Sequence, residues 1–412
     1  MKNKEKIENL YIPNYEIIES LGESPLAFVY KGVHKQQPDQ ILVIKLFKAG
    51  ILSQQRRRYF LQKIEHLKIL TDSRVAPPLR FEEYGQQKLL IRDYFSGIPI
   101  NEWIQKKASL SLEKFFTIAL KLADIIDSIQ KSGIIHGGIK PHNVIIEPKT
   151  LDVKIVDFIT PLDIRNISHF IYDKDFIEDT LAYTSPEQTG RINHRVDFTT
   201  DIYSLGIIFY EILTRRLPFF STDPLELIHS HIAEEAPTAD SFDLSVPAVV
   251  GKIISKLMLK QPEKRYQSGS GLYADLYHCQ QQWMQHKKIA DFALGTKDRT
   301  HRVTFVSKMV GRDEEAQLIL SEYTSVTQKE FKSVFISGFS GIGKTRLIQE
   351  LQRPIVKNQG YFTSGKFDVY QKNIPYSSLI QAFRNLTRTF LTENDERVAK
   401  WKNKILQAVG TN

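Results

Sequence analysis

The sequence predicts two bodies in succession: an α+β unit, with a β-rich lobe ahead of an α-rich lobe, and then a partial α/β module. Three observations carry this expectation. Residues 15–48 alternate apolar and polar side chains between turn signals, in the runs Tyr15-Glu16-Ile17-Ile18, Phe28-Val29-Tyr30 and Ile41 to Phe47, which spells a meander of three strands. From Leu112 onward the apolar spacing turns helical, broken by short strand-like runs at Val144-Ile145-Ile146 and Val153-Lys154-Ile155-Val156. Further on, an apolar run from Phe331 to Ser337 leads into the glycine-rich stretch Gly338 to Thr345, and helical spacing follows from Arg346 to Leu351.

The remaining elements fill this plan. Residues 54–70 read as a helix with apolar positions at Phe60, Ile64, Leu67 and Leu70, and Leu89 to Tyr94 reads as a strand. Ile202 to Leu213 is the longest apolar candidate, but it holds Ser204 and Glu211 and is too short to span a bilayer, so a buried core helix is expected. The predicted boundaries are an N-terminal extension over 1–14, the two-lobed unit over 15–284, a linker over 285–308, and the partial module over 309–412 with a helix from Glu314 to Val326.

Bulk composition narrows the function classes. The chain has 412 residues, 42% hydrophobic and 25% charged, which is the balance of a globular protein with more than one core. The net charge of +9 is modest for this length, and Arg56-Arg57-Arg58 falls in a predicted helix, where a solvated face is expected. Long basic runs interleaved with aromatics are absent, so no nucleic-acid partner is expected. A single cysteine, Cys279, permits no intrachain disulfide and fits a cytoplasmic setting.

The chemistry concentrates at strand ends and in one loop. Lys45 closes the apolar run Val43-Ile44-Lys45, a poor place for an unpaired ammonium. Asp157 closes a second apolar strand, just before Phe158. Between them runs His136-Gly137-Gly138-Ile139-Lys140-Pro141-His142-Asn143. Asn143 and Asp157 supply hard oxygen ligands of the kind Mg²⁺ prefers.

In order and spacing these segments resemble Ser/Thr protein kinases. A closer resemblance is to large bacterial signalling proteins that join a kinase domain to an AAA/STAND-type P-loop ATPase, followed by GAF and histidine-kinase modules. The run Ala182 to Arg191, with Asp201-Ile202-Tyr203-Ser204-Leu205-Gly206 after it, carries much of the latter likeness. The fold class so implied is a two-lobed protein-kinase-like fold followed by a partial P-loop NTPase module. The resemblance implies that Lys45 grips the ATP phosphates, with Glu65 on the following helix as its partner. It gives Lys140 a place facing the transferred phosphate beside Thr180, and makes Asn143 and Asp157 the Mg²⁺ ligands. Glu187 with Arg265, Asp201 and His136 are implied structural anchors.

Two departures stand out. Kinases place Asp, the acceptor of the substrate hydroxyl proton, where this chain has Gly138, and no acid lies between Gly133 and Ile146 to replace it. The glycine-rich loop keeps only Gly22 of three glycines, with Ser24 and Ala27 at the others, while Val29 still fits an apolar lid over adenine. The hinge that pairs with adenine falls at Arg92 to Tyr94, with Asp93 and Tyr94 as its backbone contacts.

Gly338 to Thr345 satisfies G-x-x-x-x-G-K-[ST]. In that motif the backbone around Gly338, Gly341 and Gly343 cradles phosphate, Lys344 reaches the β/γ-phosphates and Thr345 holds Mg²⁺. No apolar strand ending in paired acids follows, so the module is expected to be truncated and poor at hydrolysis. The expectation is an ATP- and Mg²⁺-binding, Ser/Thr-kinase-like signalling protein with impaired phosphotransfer, acting on or with an unidentified protein. Alternatives are a pseudokinase scaffold that binds partners, and the remnant of a nucleotide-driven STAND switch.

Overall fold

The computed structural model describes residues 11–23, 27–48, 54–106, 111–158, 180–192, 196–242, 245–298, 312–326, 331–338, 344–349, 351, 354–355, 360–365, 376–390 and 395–409. The expected meander forms as β1 (Tyr15–Glu23), β2 (Ala27–His34) and β3 (Gln37–Phe47). Helix α1 (Gln54–Leu67) follows, then β4 (Val75–Ala76), β5 (Arg80–Tyr84) and β6 (Gln87–Asp93). The first sheet has the order β1-β2-β3-β6-β5 and its pairs are antiparallel.

The register of this sheet positions the site. Gly22 pairs with Val29, Val29 with Lys45, and Lys45 with Leu90, so these four lie in one row across the strands. Val43 pairs with Arg92. Side chains two apart on a strand share a face, so Lys45 and Val43, and Leu90 and Arg92, point the same way. The opposite face buries Leu42, Ile44, Leu89 and Ile91 with Tyr15 in a core of its own.

The α-rich lobe is built on α2 (Ile100–Lys106), preceded by β7 (Ile98–Pro99), and on α3 (Leu112–Lys131), α4 (Phe198–Thr214), α5 (Pro224–Ala233), α6 (Ala248–Leu257) and α7 (Gly269–His286). Ser111 caps α3 and Asp197 caps α4, each accepting a backbone N–H of the first turn. α4 is the expected core helix, buried over nearly its whole length. Two of its polar side chains meet Tyr183: Ser204 donates to its carbonyl (2.7 Å), and Glu211 accepts from its hydroxyl (2.7 Å). Gly206 lets α4 meet α6 closely. A Cβ there would sit 2.7 Å from Leu257 Cβ and 2.9 Å from Met258 Cγ. Gly206→Val is therefore expected to destabilise the full chain by about 1–3 kcal/mol in a urea melt, as overpacking does.

Between the lobes, β8 (Val144–Ile146) and β9 (Val153–Val156) form with β4 and β7 a second sheet of order β4-β9-β8-β7. Cys279 is buried in α7, and burial pushes its thiol up to about 12. No helix among the described residues is long and apolar enough to cross a membrane.

Two segments differ from expectation. The predicted linker begins with residues fastened to the α-rich lobe. Asp298 accepts from the Gln267 amide and the Ser268 hydroxyl (both 2.7 Å), Asp275 accepts from the Gly295 amide (2.7 Å), and Ile289 is buried. Residues 331–337, predicted as a strand, form none, and Phe331 and Phe335 stand more than nine-tenths exposed. An apolar run becomes a strand only when a neighbour takes up its backbone groups. Among the described residues beyond 308 there is no strand, and the helices include α8 (Asp313–Val326), α9 (Lys344–Gln349), α10 (Ser377–Phe390) and α11 (Asp395–Val409).

Candidate nucleotide site and catalytic loop

The loop from His136 to Asn143 is held by a network of hydrogen bonds. Asp201, buried at the start of α4, accepts from the amides of His136 and Gly137 (both 2.8 Å). Burial raises its carboxyl to about 6, against the pull of those amides and of Lys63. Burial likewise lowers His136 to about 3, so its ring is neutral. That fixes the tautomer: Nε2–H donates to the carbonyl of Val156 (2.9 Å), and Nδ1 accepts the amide of Gly138 (3.1 Å). Gly137 sits at φ +71°, the left-handed region that glycine enters without strain, and its carbonyl accepts from Gln188 Nε2 (2.7 Å).

Gly138 lies at the centre of this frame. Its carbonyl accepts from Asn143 Nδ2 (2.8 Å). Lys140 Nζ donates to Thr180 Oγ1 (3.2 Å), which brings together the two residues expected near a transferred phosphate.

Opposite the loop, Lys45 and Asp157 meet: Nζ lies 3.4 Å from Oδ2. The second carboxylate oxygen, Oδ1, faces Arg92 Nε at 3.6 Å. That separation is too long for a hydrogen bond, so the attraction is between charges. Burial alone would raise the Asp157 carboxyl, but Lys45, then Arg92 and Lys140, hold it down at about 2. Asp157 also adopts φ +63°, an uncommon conformation for a residue with a side chain, of the kind that collects at functional sites. Phe158 packs on the His136 ring at 4.3 Å, tying this turn to the loop.

The family pattern for the protein kinase domain matches residues 15–286, about two thirds of the chain. The chain belongs to the protein kinase family. The AAA ATPase domain pattern matches residues 308–411, so an AAA module follows the kinase domain. A hybrid signal transduction histidine kinase of Dictyostelium discoideum is 29% identical over 77% of the chain, and a probable serine/threonine-protein kinase of Clostridium perfringens is 28% identical over 64%. The chain spans only 12% and 38% of the lengths of these relatives. Among solved structures, the kinase domain of PknI from Mycobacterium tuberculosis matches at TM-score 0.51 and 18% identity, over 65% of this chain and 96% of that one. Rad53 in complex with AMP-PNP matches at TM-score 0.51 and 22% identity, over 63% and 64%. The kinase domain and the AAA module imply ATP as the ligand class.

Set beside kinase expectations, the residues divide. Lys45 and Asp157 line one cleft, Lys140 is near enough for its charge to lower the Asp157 carboxyl, and Asn143 bonds to the Gly138 carbonyl within the loop. Val29 lines that cleft, and Gly22 lies across the strand pair from it. Glu65 does not join them. It is 69% exposed and pairs with Lys68 (2.7 Å) on the outer face of α1. The inward stripe of α1 is Ile64 and Leu67, and it is Lys63 that reaches the loop, donating to the His136 carbonyl (3.4 Å). Burial lowers the Lys63 ammonium to about 8, with Asp201 opposing. α1 thus offers the loop a cation, Lys63, and Lys45 pairs with Asp157.

The hinge also differs. The Asp93 carbonyl accepts from the Arg92 guanidinium (3.0 Å), and the Tyr94 amide donates to the Ile41 carbonyl (3.1 Å). Both backbone groups expected to meet adenine already have partners inside the protein. The space bounded by Val29, Val43, Lys45, Pro78, Leu90, Arg92 and Asp157 is about 10 Å³, room for roughly one water.

The expected Mg²⁺ site does not fit these residues. Mg²⁺ takes near-octahedral oxygen ligands. Here both Asp157 oxygens face cations, Lys45 on one side and Arg92 on the other. The described residues hold no cluster of three acidic, His or Cys side chains able to bind a metal.

In the AAA module, Lys344 opens α9 and donates to the Gly338 carbonyl (2.7 Å). Gly341 and Gly343 lie outside the described residues, as does the Thr345 side chain.

Proposed function

We propose that this chain is a kinase-fold signalling module with impaired phosphotransfer, whose ATP use centres on the P-loop lysine of the AAA module. The carrying observation is the catalytic loop. Its anchors are complete, from Asp201 and His136 to Asn143, yet the base position is Gly138. Loss of a general base lowers a rate by roughly 10²–10⁴-fold. Lys45, bound to Asp157 with no carboxylate from α1, is also diverted from gripping phosphate. A well-ordered loop without a base suits a domain that acts by presenting its shape to a protein partner. The buried, unreactive Cys279 is consistent with residence in the cytoplasm.

The test is radiolabelled phosphotransfer, to itself and to a generic basic protein substrate. Wild type is expected to incorporate no label above background. Gly138→Asp alone is expected to raise incorporation by less than about tenfold, because the base is only part of the missing electrostatics. Robust transfer by wild type that disappears in Asp157→Asn would overturn the reading.

A further inference from the structure

We infer that Arg92 is a built-in occupant of the kinase-lobe nucleotide site, making within the protein the contacts that adenine and a divalent cation would make there. It rests on the phosphotransfer-impaired reading and extends it from catalysis to binding. Three observations meet at this side chain. Its guanidinium donates to the Asp93 carbonyl at 3.0 Å, where the hinge would receive a donor from the base. Its Nε lies 3.6 Å from Asp157 Oδ1, opposite Lys45 on Oδ2, so the acid that would hold a metal is already balanced by two positive charges. Its stem lies on the cleft face of β6 beside Leu90, and the space left there is about 10 Å³.

Register explains why the arrangement is built in. Val43 pairs with Arg92 and Lys45 with Leu90, so the pleat of β3 and β6 aims both cations at the same cleft. Two cations converging on a partly buried volume repel unless an anion lies between them, and Asp157 is that anion. A divalent cation brought to Asp157 would face both positive groups at close range. A nucleotide base would need the Asp93 carbonyl released and the guanidinium moved out. The Arg92 side chain therefore keeps this lobe closed to Mg²⁺·ATP and leaves the P-loop as the chain's nucleotide site.

The experiment uses the full chain carrying Lys344→Ala, which silences the P-loop, and a fluorescent ATP analogue titrated with Mg²⁺ or with EDTA. With Arg92 intact, no saturable Mg²⁺-dependent binding is expected up to millimolar analogue. Arg92→Met removes the charge and the donor to Asp93, and Arg92→Ala removes the bulk of the side chain as well. Either variant, shown folded by its thermal melt, is expected to gain binding at least tenfold tighter with Mg²⁺ than with EDTA. Mg²⁺-dependent binding with Arg92 intact, lost on Asp157→Asn, overturns the inference, as does a folded Arg92 variant that gains none. The outcomes separate from those of the phosphotransfer test. Mg²⁺·ATP binding without transfer sinks only the closed site, whereas transfer of label sinks both readings.

Discussion

Arg265→Met is expected to cost about 3–5 kcal/mol of stability, enough to shift the urea midpoint of the α-rich lobe well below that of the native chain. Arg265 and Glu187 form an ion pair whose side chains are both fully buried. Two guanidinium nitrogens meet the two carboxylate oxygens at 2.8 and 3.0 Å. The remaining guanidinium bonds go to the carbonyls of Leu259 (2.6 Å), Thr199 (3.0 Å) and Lys260 (3.3 Å), and Thr200 donates to Glu187 at 2.8 Å. Such a pair is weak evidence of net stabilisation, because desolvation offsets most of the attraction. Removing one member is different, since it strands the other as an uncompensated charge with orphaned partners. Accordingly the double variant Arg265→Met/Glu187→Gln should lose much less than the sum of the single losses in a double-mutant cycle. Burial would raise Glu187, but Arg265 and then Thr200 hold its pKa below the ordinary value. Its contribution is therefore present above the unfolded glutamate pKa and fades as pH falls through the lower folded value. The pair also reaches the candidate site. Glu187 neighbours Gln188, whose amide donates to the Gly137 carbonyl, so loosening the pair should increase amide exchange at Gly137 and Gly138. A loss under about 1 kcal/mol in the single variant would show that the charge is not isolated as described.

What the sequence reveals of this architecture tracks how local each signal is. The β1–β3 meander and the short strands β8 and β9 were legible because alternation and turn residues specify them within a few positions. The loop anchors were legible because their residue types and spacing recur together. The charge of Glu65 points to a partner for Lys45, but its place on the helix turns it to solvent. With Ile64 and Leu67 pointing inward, position 63 shares the Leu67 stripe at i,i+4 while position 65 turns outward, so Lys63 was within reach of the periodicity alone. Arg92 was half legible. The alternation of Leu89, Leu90, Ile91 and Arg92 puts Leu90 and Arg92 on one face, but its meeting with Asp157, 65 positions away, depends on how two sheets stack. The run from 331 to 337 shows the opposite limit. Apolar composition marks a segment able to pair, and pairing depends on a partner elsewhere in the chain.

Neutralising Asp157 provides the second large effect. Asp157→Asn is expected to destabilise the full chain by about 3 kcal/mol at pH 7, toward the lower end for breaking a buried pair because Asp157 remains a quarter exposed. The cause is the company it keeps: without the carboxylate, Lys45 and Arg92 face each other across a cleft with no anion between them. The sign follows from linkage. The folded pKa of about 2 lies below the ordinary value of 3.8, so the charged form adds stability above about pH 4, and that gain is lost as pH falls toward 2. The gap between wild type and Asp157→Asn in urea melts should therefore be constant from about pH 7 to 5 and narrow below about pH 4. A carboxylate merely awaiting a metal gives the opposite result, because removing its charge would relieve a burial penalty and leave stability unchanged or higher. Adding Arg92→Met to Asp157→Asn should restore part of the loss, since one of the two opposed cations is gone. Equal stability of wild type and Asp157→Asn at pH 7 would mean that Asp157 is not the counter-charge of this cleft.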